Sequence, residues 1–250
     1  LSTIKSEVED ARGSDQTLGD RLDGVNSQLA QNATELSNTT QAHYRNGDNN
    51  TIVTFIDDDA TQQFVDRLKP IFDSEGVSCT LAVNPGELGK QTTNALRLGL
   101  DDLLSLQQEG YEIVSHGHNH MNMSVDQADV DLEYELWESK KFLMKNGFKG
   151  HKYLVYPNGV RPTDYRTQGF VRKYYECGIA IGSGSINTTP INQFNMLRYG
   201  LSGTFENLKS RIENAKNEWI IFISHAWQDI YAETQQRDDI QQFIQYIKSK

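Results

Sequence analysis

Residues 51–250 repeat one pattern, in which a short apolar run rich in β-branched residues is followed by a stretch with apolar residues on one helical face. Such alternation is typical of parallel strands joined by right-handed helical crossovers. The apolar runs predict strands at 52–56, 77–83, 111–114, 153–156, 178–181 and 219–223, and helices at about 61–72, 91–109, 126–145 and 235–248. About seven such units suit a closed or nearly closed β/α barrel.

Polar residues follow three of the predicted strands directly. They are the run Asp57–Asp59, the three histidines within 116–120, and His225. In α/β folds the carboxyl ends of the strands hold the functional site, so these residues are expected to meet. Adjacent aspartates alone more often form a solvated turn or a helix cap, and a lone histidine says little. Half of the six histidines of the chain lie within five residues, however, and this favours a metal site.

The spacing of these residues suits a hydrolytic zinc centre. Such a centre takes three protein ligands and keeps one position open for water. His116 and His120 are four residues apart, so a helical turn or a tight loop can aim both at one point, and Asp58 can supply the third ligand. A neighbouring carboxylate is then free to accept a proton from water, and His225 to protonate a leaving group. A zincin protease is excluded, because its motif needs Glu at 117, where this chain has Gly.

Four stretches of the chain resemble the motifs of polysaccharide deacetylases of carbohydrate esterase family four. Residues 54–59 resemble a strand ending Thr-Phe-Asp-Asp-Gly, and residues 115–120 resemble Ser-His-Thr-x-x-His. Residues 156–159 resemble a Tyr-Pro-Tyr-Gly run, and residues 220–225 resemble an apolar strand ending in His. The resemblance covers about residues 50–250 and implies an irregular (β/α)7 barrel that removes acetyl groups from an acetylated polysaccharide.

The resemblance also implies roles for the polar residues. Asp57 would be the general base and His225 the general acid, while Asp58, His116 and His120 would hold a divalent metal. Zn²⁺ is expected, with Co²⁺, Ni²⁺ and Mn²⁺ as alternatives.

Five further residues are predicted to contact the substrate. The backbone N–H of Asn158 would help to hold the oxyanion, and Ile223 would line a pocket for the acetyl methyl group. Tyr156 and Trp227 are predicted substrate contacts as well. Arg198 either orients the base carboxylate or is a plain surface arginine.

The chain departs from the family pattern at four positions. Ile56 is inserted before the aspartates, Asp59 replaces Gly, Gly117 replaces Thr or Ser, and Asn158 replaces an aromatic residue. None of these changes removes a predicted metal ligand, so they concern substrate contacts and loop geometry.

Residues 1–40 lack aromatic residues and proline and carry apolar residues at a 4,3 spacing. This pattern predicts a parallel coiled coil over 4–36, interrupted at Asp15 and Asn32, whose core residues weakly disfavour a dimer. We therefore predict an α-helical stalk and linker at 1–45 and a catalytic domain at 46–250. The alternative is a disordered polar linker. The seam consists of Ile4, Val8, Ala11, Leu18, Leu22, Val25, Leu29 and Leu36.

Residues 11–23 resemble linker segments in tail and baseplate proteins of phages that infect Gram-positive bacteria. This resemblance to phage tail proteins implies a homotrimer through residues 4–36, and a dimer is the alternative. It also suggests a virion tail or other extracellular location, with other tail proteins as partners. The net charge of −10 argues against nucleic acid or an anionic membrane as a partner. The sequence contains no run of 18 apolar residues, so no transmembrane helix is predicted. Residues 1–7 do not resemble a signal peptide.

Two other classes of function remain open from the sequence. One is a non-catalytic glycan-binding head that recognises a receptor, and the other is a coiled-coil structural protein whose barrel is only a tip. An intact set of acid, base and metal ligands favours the enzyme, because a binding module has no need of a general base.

Overall fold

The computed structural model describes residues 51–123, 127–182, 187–188 and 191–250. The predicted coiled coil over 4–36 and the predicted boundary at residue 45 lie outside these residues. Seven parallel strands close into one barrel in chain order, which confirms the expected (β/α)7 fold. The strands are β1 (Ile52–Asp58), β2 (Thr80–Val83), β3 (Glu112–Ser115), β4 (Gly150–Val155), β5 (Cys177–Ile181), β6 (Met196–Gly200) and β7 (Trp219–Ser224).

Closure of the barrel depends on the pairing of its first and last strands. Residues 52–57 of β1 align one to one with residues 219–224 of β7, and this places Asp57 opposite Ser224. The β3–β4 pairing is irregular, because its register shifts between Val114 and Ser115. At that point a side chain on Gly150 would lie 2.3 Å from the carbonyl oxygen of Ile113, so only glycine allows the two backbones to approach this closely.

The strands bury both of their faces, and consecutive residues alternate between two apolar layers. Ile56, Val114 and Ile221 pack with other side chains inside the barrel. Phe55 and Phe222 belong to the outer layer, between the strands and the helices. Their ring centroids lie 5.9 Å apart. A side chain of β1 therefore faces the barrel axis or the helix layer according to its place in this alternation.

Six helices surround the barrel in the described part of the chain. They are α1 (Lys69–Glu75), α2 (Leu100–Gln108), α3 (Asp129–Lys145), α4 (Tyr165–Tyr174), α5 (Phe205–Glu213) and α6 (Thr234–Lys248). A π-helical turn, Phe64–Leu68, leads directly into α1. Short 3₁₀ turns lie at Pro85–Glu87, Pro157–Gly159 and Asp229–Ala232. Within the described ranges, every helix is too short or too polar to cross a membrane.

The predicted elements differ from the observed ones in two respects. The helix predicted over 91–109 begins only at Leu100, because residues 91–97 run back along the chain in extended bridges, among them Gln91 with Leu96. Strand β6 and helices α4 and α5 were not predicted. Strand β6 carries Arg198 in its centre, and this charged residue hides the apolar pattern of a buried strand.

Candidate active site

A cavity of about 400 Å³ opens at the carboxyl ends of the barrel strands. Six of the residues singled out by the sequence lie in its wall: Asp58, Asp59, His120, Asn158, His225 and Trp227. They lie at the end of β1 and in the segments that follow β1, β3, β4 and β7. The polar residues at the strand ends therefore meet in this cavity, as expected from the sequence.

A cluster suited to a metal ion lies at the cavity, and it consists of Asp59, His116 and His120. Their candidate ligand atoms all lie within 4.8 Å of one another. The two imidazole rings have their centroids 4.8 Å apart. The predicted histidine pair is thus brought together, but the carboxylate beside it is that of Asp59 rather than that of Asp58.

The hydrogen bonds of the cluster fit a metal ion. His116 is 1 % exposed, and its Nδ1 lies 2.8 Å from the carbonyl oxygen of Val155. A carbonyl only accepts, so Nδ1 carries the proton and Nε2 keeps its lone pair. That Nε2 and the Oδ1 of Asp59 are buried and accept no hydrogen bond, although Oδ1 lies 3.1 Å from Arg97 Nη1 and forms an ion pair with it. A histidine fixed through a backbone carbonyl and left with an unpaired nitrogen is the usual arrangement of a metal ligand.

Asp58 is held by Arg198 instead. Arg198 Nη1 donates to Oδ1 at 2.6 Å and Nη2 donates to Oδ2 at 3.0 Å, a two-pronged contact between fully buried groups. Burial is the largest influence on the pKa of Asp58 and raises it, but the charge and hydrogen bonds of Arg198, together with His116 and His225, hold the net pKa below its ordinary value. The Oδ2 atom lies 3.8 Å from Nε2 of His225. Asp58 is therefore an ionised carboxylate beside a second titratable group.

Asp57 lies on the other side of β1, contrary to its predicted role as general base. The side chain is 0 % exposed and lies outside the cavity wall. Its Oδ2 accepts hydrogen bonds from Ser224 Oγ at 2.6 Å and from the backbone N–H of Ala226 at 2.9 Å. Burial raises its pKa well above the ordinary value, although the Ser224 hydrogen bond opposes that shift. A carboxyl group enclosed in this way cannot reach a substrate in the cavity.

Asp59 follows the last residue of β1 and adopts a left-handed backbone conformation, with φ 80°. Trp227 Nε1 donates to its Oδ2 at 2.9 Å, and Arg97 Nη1 donates to its backbone oxygen at 3.0 Å. Burial raises the pKa of Asp59, but His116, Arg97, the Trp227 hydrogen bond and His120 together outweigh it, so the net pKa is below its ordinary value. The next residue, Ala60, also has a positive φ of 45°, so the chain turns after β1 through a backbone conformation that glycine adopts most readily.

The predicted substrate contacts fall into two groups. Asn158, at φ 58°, and Trp227 line the cavity. Tyr156, Ile223 and Arg198 do not. Tyr156 is 0 % exposed and donates its hydroxyl to the carbonyl oxygen of Phe194, so it belongs to the core. Ile223 is buried on the inward-facing side of β7, and Arg198 is occupied by Asp58.

Several residues of the site were not identified from the sequence. Glu87 and Arg97 pair at 3.1 Å in the cavity wall, and Arg97 was hidden by the helix predicted over its segment. Glu135 of α3 is 2 % exposed and accepts the backbone N–H groups of Asn119 at 2.7 Å and Met121 at 3.0 Å. These two hydrogen bonds fix the backbone on both sides of His120. A glutamate on an amphipathic helix normally faces solvent, so nothing in the sequence pattern signals its burial.

Comparison with known proteins gives the chain a family. The model of the polysaccharide deacetylase family matches residues 44–171. No curated protein matches the chain. Three solved structures share the fold at low sequence identity.

The first is the Streptococcus pyogenes deacetylase PplD in complex with acetate, with 22% identity and a TM-score of 0.50 over 58% of this chain and 62% of that one. The second is a family 4 carbohydrate esterase from Streptomyces lividans in complex with acetate, with 14% identity and a TM-score of 0.54. The match covers 81% of this chain and 90% of the esterase. The third is BA3943 from Bacillus anthracis, a family 4 pseudoenzyme, with 11% identity and a TM-score of 0.51. The match covers 81% of this chain and 63% of BA3943.

This chain thus spans less than two thirds of the length of PplD and of BA3943. The match to the family model covers half of the chain, and the closed seven-stranded barrel carries polar strand ends as the family resemblance implies. The chain belongs to the polysaccharide deacetylase family.

Proposed function

We propose that this chain is a metal-dependent hydrolase that removes acetyl groups, N- or O-linked, from a bacterial surface polysaccharide. One observation carries the proposal: candidate ligand atoms of Asp59, His116 and His120 converge, with the buried Nε2 of His116 left without a hydrogen bond, beside an ion-paired Asp58 and His225. BA3943 illustrates that the fold alone does not establish catalysis, so the argument depends on this set of side chains.

The proposed ligands are Asp59, His116 and His120. Two imidazoles and one carboxylate are a donor set for Zn²⁺, and Co²⁺, Ni²⁺ or Mn²⁺ could use the same donors. When bound, the metal would polarise the acetyl carbonyl and increase the acidity of water. The assignment is shifted by one residue from the sequence-based one, because Asp58 is already paired with Arg198.

Asp58 is the proposed general base. It is ionised, it lines the cavity, and Arg198 fixes both of its oxygens, so it can accept a proton from water without changing its position. His225 is the proposed general acid, which delivers a proton to the leaving oxygen or nitrogen of the sugar. The backbone N–H of Asn158, another residue of the cavity wall, is the proposed donor to the oxyanion.

The test is release of acetate from a panel of acetylated bacterial wall polymers, with metal content measured on the same preparations. Asp58→Asn should lower the rate by about 10²–10⁴-fold, as loss of a general base does, and should keep the metal. Asp59→Asn should lose the metal. A wild-type protein that binds metal and releases no acetate from any polymer would favour the alternative, a glycan-binding head without catalysis.

We further propose that the domain is carried on the tail of a phage or prophage. Support comes from the similarity of residues 11–23 to linkers of tail and baseplate proteins and from the heptad seam over 4–36. The polymer would then be a component of the host cell wall, and other tail proteins would be partners. Antibodies raised against the barrel should label virion tails in electron micrographs.

A further inference from the structure

Asp57 carries a buried carboxyl group that has no part in the proposed chemistry. It is the last residue of β1 on the face that carries Phe55, so it projects into the layer between strands and helices. Apolar side chains dominate that layer, and an enclosed carboxyl group there carries a desolvation penalty. Its Oδ1 has no hydrogen-bond partner. Hydrophobic packing therefore does not explain an aspartate at this position.

The contacts of Asp57 point to the segment that carries His225. A single oxygen, Oδ2, accepts the Ser224 hydroxyl at 2.6 Å and the Ala226 backbone N–H at 2.9 Å. These two residues are the neighbours of His225 on either side. The carboxyl group thus spans the base of the turn, while the imidazole lines the cavity on the other side of it.

We infer that Asp57 is a positioning residue that fixes the turn at Ser224–Ala226, so that the imidazole of His225 faces the leaving group. The inference rests on the proposed function, in which the bond from the acetyl carbon to the sugar oxygen or nitrogen breaks. The oxygen of water forms the new bond to the acetyl carbon and gives a proton to Asp58. The electron pair of the broken bond stays with the leaving atom, which takes the proton of His225, so acetate and the free sugar hydroxyl or amine result. Nothing in this step requires Asp57 to touch the substrate.

The consequence depends on the leaving group. A sugar hydroxyl or amine leaves poorly without a proton, whereas 4-nitrophenolate leaves readily without one. A displaced His225 should therefore slow deacetylation of the polymer much more than hydrolysis of 4-nitrophenyl acetate. General unfolding or loss of metal would lower both rates together.

The experiment compares Asp57→Ala, Asp57→Asn and Ser224→Ala in the full chain loaded with zinc. Asparagine keeps an oxygen that can accept both hydrogen bonds, and alanine removes it. We expect Asp57→Ala to lower kcat on the polymer by about 10–100-fold, within the range of acid–base catalysis, with at most a few-fold change on 4-nitrophenyl acetate. Asp57→Asn should recover most of the polymer rate, and Ser224→Ala should fall between the two.

Thr54→Val is the matched control. Thr54 Oγ1 accepts the indole N–H of Trp219 at 2.9 Å, so this change also removes a side-chain hydrogen bond between β1 and β7, but near the opposite end of the barrel. It should leave both rates unchanged. Thermal unfolding and metal content of every variant show whether a lost rate reflects a lost fold.

Two outcomes would overturn the inference. An Asp57→Asn protein that keeps its metal and loses at least about 10²-fold on both substrates would make Asp57 the base. Equal losses on both substrates for Asp57→Ala would make its role purely structural. If the wild-type protein deacetylates nothing, the proposed function fails separately. Crystal structures then decide the positioning role, since His225 should be displaced in Asp57→Ala and keep its place in Asp57→Asn.

Discussion

At the scale of single residues, Arg198 and Asp58 form a buried ion pair in which each charge requires the other. Both side chains are at most 2% exposed, so water solvates neither charge. Removing one partner of such a pair leaves an uncompensated buried charge, whereas replacing both can be nearly neutral. The pair is therefore a poor general source of stability but a strong constraint on which residues can occupy β1 and β6 together.

Arg198→Met should accordingly lower the free energy of unfolding by about 3–5 kcal/mol. Urea unfolding in the presence of a chelator measures this, because a bound cation would otherwise compensate for the lost charge. The double variant Arg198→Met with Asp58→Leu should recover most of the stability and remain inactive. A single variant as stable as the wild type would contradict the burial of the pair.

The two cysteines provide a simple measure of the core. Both thiols are buried, and burial raises the pKa of Cys177 to about 12 and raises that of Cys79 as well. The thiolate is the reactive form, so at pH 8 both groups stay protonated in the folded protein. Ellman's reagent should therefore react with neither thiol in native protein and with both after denaturation. Rapid labelling of the native protein would show that the core around Cys79 or Cys177 opens readily.

At the scale of elements, helix α3 holds the loop that carries the proposed histidine ligands. Glu135 binds the backbone on both sides of His120, which itself has φ 60°. A side chain on Gly117, which also has positive φ, would lie 2.7 Å from Glu135 Oε1. The glycine at 117 and the glutamate at 135 therefore depend on each other, which accounts for one departure from the family pattern.

Glu135→Ala should weaken metal binding by about 10–100-fold, the usual effect of removing the groups that orient metal ligands. Titration against a fluorescent zinc chelator measures the change. Glu138→Ala is the matched control, because Glu138 lies on the same helix and forms an ion pair there with Lys141 at 3.2 Å. Equal zinc affinity in the two variants would show that Glu135 does not orient the histidine ligands.

The elements also explain what the sequence could and could not predict. Runs such as 52–56 and 219–223 were found because both faces of a barrel strand are buried, so the whole run is apolar. The roles of the three aspartates could not be read, because they depend on which face of β1 each one occupies and on where the strand ends. Arg198 was ambiguous for a related reason: its partner lies 140 residues away, and only the closed barrel brings the two together.

At the scale of the whole molecule, the sequence predicts two parts with separate tasks. Residues 4–36 should assemble three chains in parallel, and the barrel, which has its own two-layered core, should fold without them. Light scattering should therefore give a trimer for 1–250 and a monomer for a chain that begins at residue 46. The shorter chain should keep its deacetylase activity. A monomeric full chain, or a short chain that still forms trimers, would contradict this division.

The closed barrel has a consequence for any arrangement that crowds many copies together. Every one of its seven strands has a neighbour on both sides, so the barrel presents no row of unpaired backbone groups. Open sheets expose such rows, and at high local concentration they template edge-to-edge aggregation between copies. Tethering raises local concentration into the millimolar range, on the order of what short flexible linkers produce. A barrel of this kind can therefore be displayed densely without pairing of strands between copies.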